Sequence, residues 1–283
     1  MRRTTSLTAA GLLGLALLAP ATWAGPAAAA AETCLGRPAT VVGTGPTVIG
    51  TESRDVIVSG TATTIEALGG DDLVCVSRPG QAPVVLTVDA GSGRDMVVVE
   101  PSDAVATGSS VEGGRGRDQL IAAQPEGRLA VNLRRDRWLL DDRSATVTGL
   151  EDVTLVAPSV RILGDDHDNS FGSSACFAKL DGNAGDDYLG NRPGRYFEDY
   201  SFDCDASSRM HGGLGADVLH DSDGDGALHG GPGDDEIEGR DGDDQLDGGT
   251  GRDDLVGGEG RDRADGGSGR DRCRTEREKR CER

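Results

Sequence analysis

A nine-residue rhythm of glycine and aspartate limits what this chain can fold into more than any other feature. From Gly212 to Arg274, seven consecutive units of nine residues all carry glycine at their fourth position. The sixth position is aspartate in six of the seven units, and the eighth is aliphatic in the first five. A fixed period with residue types in phase predicts a repeat architecture in which the units stack on one another.

Each unit contains the parts of an oxygen-lined turn followed by a short strand. Glycines at positions one, two and four are expected to bend the backbone through positive φ and to expose its carbonyls. Carbonyl oxygens together with one carboxylate make a ligand set that suits a hard cation. The aliphatic residue then points inward from the strand while its neighbours point outward. The repeat therefore predicts a metal-binding turn coupled to a core position.

This pattern resembles the GGxGxDxUx nonapeptide of RTX (hemolysin-type) repeats, which occur in secreted bacterial calcium-binding proteins. The resemblance implies an all-β fold, a parallel β-roll or β-solenoid, in which two nonapeptides make one coil and Ca²⁺ lies between stacked turns. A partial unit over Gly182–Gly190 adds one further aspartate. The candidate metal ligands that follow are Asp187, Gly213, Gly215, Asp217, Gly231, Gly233, Asp235, Gly242, Asp244, Gly249, Gly251, Asp253, Gly258, Gly260, Asp262 and Asp271.

Residues two units apart should stack along the same edge of the coil. One edge would then carry Asp217, Asp235, Asp253 and Asp271, and the other Gly226, Asp244 and Asp262. At the strand spacing of about 4.8 Å, two carboxylates repel by ~3–4 kcal/mol at an effective dielectric near 20. We hypothesise that this segment is largely unfolded without Ca²⁺ and folds on binding it. Because Gly226 replaces an aspartate, one site on its edge should be weak or missing.

Partial repeats also occur upstream, in isolation from one another. They lie over residues 50–58, 67–75, 90–98 and 112–121. Each is either a further calcium-binding turn or, more simply, a structural turn. Short strand-like runs separated by Gly, Pro and Asp fill the middle of the chain. We predict six segments: signal peptide 1–31, degenerate repeats 32–78, solenoid middle 79–170, an aromatic, cysteine-bracketed insert 171–211, the calcium-binding roll 212–274 and a tail 275–283.

The N-terminus predicts export, and the cysteines agree with it. Arg2 and Arg3 precede a short apolar run, Leu12–Leu18, which is followed by small residues up to Ala31. The apolar run is too short to span a bilayer, so we expect a cleaved signal peptide, an extracellular protein and no membrane span. Six cysteines in an exported chain favour disulfides, and chain order suggests Cys34–Cys75, Cys176–Cys204 and Cys273–Cys281, although sequence alone leaves other pairings open.

Two side-chain groups each admit a structural and a functional interpretation. Aromatic residues cluster between Phe171 and Phe202. They could form a disulfide-pinned mini-core or, with Tyr196 and Tyr200 exposed, a platform for a glycan. His211 and His229 should be stacked neighbours, as a solvated surface row or, less simply, as a transition-metal pair.

Charge and missing motifs narrow the function. A net charge of −20 argues against nucleic acid as a partner, since phosphate would be repelled. HExxH, GxSxG, P-loop and Rossmann signatures are absent from the sequence, so we expect no enzyme. The prediction is a secreted, monomeric calcium-binding repeat protein with a structural or interaction role. An adhesin that binds a glycan or another cell-surface component and a β-helix enzyme acting on polysaccharides stay open as alternatives.

Overall fold

The computed structural model describes residues 32–77, 82–191, 202 and 204–281. Residues Glu32–Arg283 form one compact unit, and the predicted signal peptide lies outside the described residues. In the described part the regular structure is β-strand, apart from two 3-10 turns at Ser102–Ala104 and Leu133–Arg135. None of the described segments is a helix long and apolar enough to cross a membrane.

Two long sheets carry almost all of the strands, beside a small antiparallel hairpin of β1 (Thr33–Cys34) and β2 (Arg37–Pro38). The 12-stranded sheet contains β3 Val41–Val42, β5 Val56–Val58, β7 Leu73–Val76, β9 Met96–Val99, β11 Gln119–Ala123, β15 Asp152–Val156, β17 Ser170–Ser174, β19 Tyr188–Asn191, β21 Val218–His220, β23 Glu236–Asp241, β25 Asp254–Glu259 and β27 Arg272–Arg274. The 14-stranded sheet contains β4 Thr47–Ile49, β6 Thr64–Glu66, β8 Thr87–Asp89, β10 Ser110–Glu112, β12 Arg128–Asn132, β13 Arg137–Leu140, β14 Arg143–Thr148, β16 Ser159–Leu163, β18 Phe177–Ala184, β20 Ser207–Leu214, β22 Asp225–Pro232, β24 Gln245–Gly251, β26 Arg263–Gly269 and β28 Arg277–Lys279.

The chain alternates between these sheets, and successive coils pair in parallel, as a β-solenoid requires. In the C-terminal coils, the hydrogen bond from Asp217 to Asp235 joins residues 18 apart, so two nonapeptides do make one coil. Upstream coils vary in length, since the corresponding bond from Asp72 to Asp95 joins residues 23 apart and that from Asp55 to Asp72 joins residues 17 apart. Among the described strands of the two large sheets, antiparallel pairing occurs in the meander β12–β13–β14. The predicted all-β solenoid is confirmed.

A single apolar core lies between the two sheets and changes character along the chain. In the middle coils it is filled by large side chains such as Trp138, Phe171 and Leu155, all fully buried. In the repeat coils each half-coil contributes one aliphatic residue, for example Leu228, Ile237 and Leu246. Because burial of apolar area drives folding, the repeat coils have less of this stabilisation than the middle coils.

The three predicted disulfides, Cys34–Cys75, Cys176–Cys204 and Cys273–Cys281, are all present. The first belongs to a second buried cluster on the outer side of the 12-stranded sheet, where Phe202 also packs. The third closes the last coil of the solenoid.

Strands of both large sheets lie within the insert predicted over residues 171–211. Phe171 lies in the main core, and strands β17, β18, β19 and β20 continue the two large sheets. Phe171 occupies an inward-facing position of β17, so its aromatic ring lies in the core. Residues 192–201, with Tyr196, Phe197, Asp199 and Tyr200, and Asp203 lie outside the described residues. The proposed aromatic platform is therefore not described by the structure.

Candidate metal centre

Aspartates of successive coils form two ladders along the edges of the solenoid. Ladder A consists of Asp187, Asp217, Asp235, Asp253 and Asp271, each directly before a strand of the 12-stranded sheet. Ladder B consists of Asp244 and Asp262, before strands of the 14-stranded sheet. The stacking predicted from the spacing is confirmed.

Backbone N–H groups connect the rungs of both ladders. Asp235 donates its N–H to Asp253 Oδ1 at 3.0 Å, and Asp217 donates to Asp235 Oδ1 at 2.8 Å. In ladder B, Asp244 donates to Asp262 Oδ1, also at 3.0 Å. Each of these carboxylates thus uses one oxygen to tie its coil to the preceding one.

The second oxygen of every ladder aspartate is buried and has no hydrogen-bond partner. This holds for Oδ2 of Asp187, Asp217, Asp235, Asp244, Asp253, Asp262 and Asp271. All seven residues are at most 3 % exposed. A buried charged oxygen without a partner is costly, so it requires either a proton or a cation.

The glycines make room for this arrangement in two different ways. Gly233, at position four, has φ +152, and a Cβ there would lie 1.6 Å from the carbonyl oxygen of Gly215 in the preceding coil. Gly230, at position one, does not have positive φ, contrary to our expectation for that position. It is needed because a Cβ would lie 2.2 Å from Asp235 Oδ2.

The other candidate glycine ligands all adopt the predicted left-handed backbone. Besides Gly233, positive φ occurs at Gly213, Gly215, Gly231, Gly242, Gly249, Gly251, Gly258 and Gly260. This conformation places the carbonyls of one coil under the turn of the next, as Gly213 and Gly231 illustrate.

The irregular unit starting at Asp221 exchanges its glycine and its aspartate. Here Asp221 occupies position one, and its Oδ2 lies over Gly226 at the same 2.2 Å from a hypothetical Cβ. Both carboxylate oxygens are satisfied, Oδ2 by the Ser208 hydroxyl at 2.5 Å and Oδ1 by the N–H of Ser222 at 2.7 Å. The carboxylate is present in this coil, but its hydrogen bonds remove the need for a cation.

The last coil supplies a substitute for the next rung of ladder B. Glu276 accepts the N–H of Asp262 at 2.8 Å through Oε2. The residue two units after Asp262 is Arg280, whose side chain instead pairs with Asp265. This last coil is four residues shorter than the 18-residue coils before it, since the Asp262–Glu276 hydrogen bond joins residues 14 apart. Glu276 lies outside the nonapeptide phase, so the repeat pattern does not predict its role.

Burial raises the pKa of the ladder carboxyls, and neighbouring carboxylates raise it further. Desolvation brings the pKa of Asp187, Asp235 and Asp244 to about 7 and that of Asp253 to about 6, against the backbone hydrogen bonds that lower it. The pKa of Asp217 and Asp262 is raised for the same first reason. At neutral pH the ladders therefore hold negative charge only at a cost, which a bound cation would offset.

The two ladders fit a cation that takes ligands from the backbone as well as from side chains. In the described residues, no group of three His, Cys, Asp or Glu side chains converges on one point. A site here would combine the unpartnered Oδ2 atoms with the carbonyls of the glycine turns, and an all-oxygen set is what Ca²⁺ prefers.

Comparison with known families agrees with this geometry. The family model described as the RTX calcium-binding nonapeptide repeat (4 copies) matches residues 208–235, 220–255 and 247–276. Residues 208–276 are RTX calcium-binding nonapeptide repeats. The match covers both ladders except Asp187. No curated protein matches the chain.

His211 and His229, which belong to the RTX segment, stack as predicted, with ring centroids 4.9 Å apart. Their Nδ1 atoms lie 3.7 Å from Asp181 and 3.4 Å from Asp247. Among the described residues, the two imidazoles belong to no group of three side chains that could hold a metal ion, which favours the surface-row interpretation over a metal pair.

Proposed function

We propose that the RTX coils bind Ca²⁺ along ladders A and B and that binding completes their fold. The observation that carries this proposal is the column of buried Oδ2 atoms without partners. The apolar core of these coils is thin, so neutralisation of the carboxylates is a large part of their stability. We expect dissociation constants of ~10⁻⁴–10⁻³ M, as in extracellular calcium modules.

Calcium titration of the full chain tests this proposal. Strand content followed by circular dichroism should rise with Ca²⁺, and calorimetry should report binding. Mg²⁺ should not substitute, because it demands a small octahedral site and dehydrates reluctantly. An unchanged strand signal after chelation, without calorimetric binding, would contradict the proposal.

We also propose that the protein is exported and acts outside the cell as a monomeric structural or interaction module, without catalysis. Three disulfides and low-affinity calcium sites both suit an oxidising, calcium-rich environment. Folding of the RTX coils would then be delayed until after export. Recovery from the medium of a chain beginning at Glu32 would support export, whereas retention of the uncleaved chain in the cell would contradict it.

A groove on the outer face of the 14-stranded sheet favours an acidic glycan as the partner. Four arginines, Arg134, Arg135, Arg137 and Arg161, line this groove without an acidic residue among the lining residues described. Arg161 on β16 pairs in register with Lys179 on β18, and Lys179 pairs in register with Arg209 on β20. In-register like charges are destabilising, and a linear polyanion would relieve their repulsion.

Binding to hyaluronate, with neutral dextran as a comparison, tests this second function. The double variant Arg137→Gln, Arg161→Gln should bind hyaluronate about tenfold more weakly. Each substitution removes one exposed ion pair with the ligand, worth about 0.7 kcal/mol of binding free energy. The matched control is Arg263→Gln with Arg277→Gln, an in-register arginine pair on the same sheet whose groove contains Asp247 and Asp265. Equal affinity of all three proteins would exclude this groove as the binding site.

A further inference from the structure

Three coils far upstream of the RTX match repeat the same turn with a different period. Asp72, Asp95 and Asp118, here called the upstream ladder, each precede a strand of the 12-stranded sheet, on the same edge as ladder A. Asp72 donates its N–H to Asp95 Oδ1 at 2.8 Å, and Asp95 donates to Asp118 Oδ1 at 2.8 Å. These bonds join residues 23 apart, which places the coils outside the nonapeptide rhythm.

The second carboxylate oxygens are again buried and without partners. Asp72, Asp95 and Asp118 are 2 %, 2 % and 1 % exposed, and Oδ2 of each has no hydrogen-bond partner. By contrast Asp55, one coil earlier, is satisfied on both oxygens, since Thr40 donates to Oδ1 and Thr51 to Oδ2. Asp55 therefore needs no cation, although it lies on the same edge of the sheet. The upstream ladder begins at the next coil, with Asp72.

The backbone beneath these carboxylates also matches the RTX turns. Gly93 and Gly116 have φ +144 and +142, and a Cβ at either would lie within 1.8 Å of the carbonyl oxygen of the preceding coil's glycine. Leu68, which has φ 77, takes the place of a glycine at position two. The turns therefore expose the same carbonyl stack as Gly215 and Gly233 do in ladder A.

Two residues separate the upstream ladder from ladder A. Glu151 accepts the N–H of Asp118, and the next rung is Asn169, whose buried Nδ2 also lacks a partner. An amide N–H at this point would face a cation with the wrong polarity. The column is therefore divided into two separate runs of unpartnered carboxylates rather than one.

We propose that the upstream ladder is a second calcium-binding site, formed by Asp72, Asp95 and Asp118 with the carbonyls of their glycine turns. The choice of Ca²⁺ rests on the function proposed for ladders A and B. Arg94 and Arg117 lie beside these turns, and Arg117 also pairs with Asp152 at 2.8 Å. Their positive charge makes the upstream site weaker than the RTX sites.

Calcium stoichiometry of matched variants tests the proposal. The triple variant Asp72→Asn, Asp95→Asn and Asp118→Asn removes three charges with side chains of the same shape, and Asn169 shows that this column accommodates asparagine. The control triple is Glu66→Gln, Asp89→Asn and Glu112→Gln, three exposed residues in register in the same coils. Equilibrium dialysis at about 10 mM Ca²⁺, above the weak extracellular range, gives bound calcium per chain.

The ladder variant should bind at least one Ca²⁺ fewer than the wild type and the control triple. Equal stoichiometry of all three would overturn the upstream site. The variant Asp235→Asn with Asp253→Asn separates this result from the proposed function: if it too binds as much as the wild type, the RTX sites fail as well. If the ladder triple does not fold, hydrogen exchange on the wild type decides. Calcium-dependent protection of residues 66–76 and 89–99, retained in the Asp235→Asn, Asp253→Asn variant, supports the site, and its absence overturns it.

Discussion

At the scale of single residues, the spacing between coils depends on the glycines at position four, where a Cβ would collide with the carbonyl oxygen of the neighbouring coil. We predict that Gly233→Ala destabilises the calcium-loaded protein by roughly 1–3 kcal/mol, because Gly233 has φ +152 and a Cβ would meet the Gly215 carbonyl oxygen at 1.6 Å. Urea unfolding in saturating Ca²⁺ measures this change. Gly45→Ala is the control, since a Cβ there has no neighbour within 4 Å. Equal losses for both variants would contradict the assigned role of Gly233.

At the scale of elements, the last coil is held by a cap rather than by a further repeat. Cys273 contacts the main core and is joined to Cys281, and β28 pairs with β26. We predict that Cys273→Ser with Cys281→Ser frees β27 and β28 and destabilises the terminal coil by about 2–3 kcal/mol. Hydrogen exchange should rise over residues 263–281 and stay unchanged over β18 and β20. Unchanged exchange over 263–281 would show that the disulfide is dispensable to the cap.

At the scale of the whole molecule, protonation of the buried carboxyls can take the place of calcium, so the folding of the calcium-free RTX coils depends on pH. Asp187, Asp235 and Asp244 have a pKa of about 7 in the fold, mainly through burial, and about 3.9 when unfolded. The folded state therefore binds more protons between these values, and its stability is highest below about pH 4 and falls as the pH rises to about 7. Each such carboxyl contributes a slope of about 1.4 kcal/mol per pH unit over the range in which it is ionised in the unfolded chain and still protonated in the fold.

Urea unfolding of protein stripped of calcium on a chelating resin measures this slope. The variant Asp235→Asn should show a shallower slope, and added Ca²⁺ should flatten or reverse it at neutral pH. Stability that rises from about pH 4 to about pH 7 in the absence of calcium would contradict the assignment of raised pKa values to the ladders.

The sequence by itself determined the repeat coils, because a strict period of nine fixes both which residues stack and which residues face inward. The stacking of Asp235 on Asp253 and of His211 on His229 followed from spacing. Chain order suggested the three cysteine pairs but left other pairings open, and the structure decided between them. The tertiary structure alone decided the rest, because it depends on what lies in the neighbouring coil. The partial repeat around Asp95 is visible in the sequence, but only the structure stacks Asp95 on Asp118, 23 residues away. The hydroxyl of Ser208 satisfies Asp221, and Glu276 reaches ladder B only through a shortened coil. Whether a buried carboxylate needs a cation is set by its hydrogen-bond partners across coils, and these do not follow from its own place in the sequence.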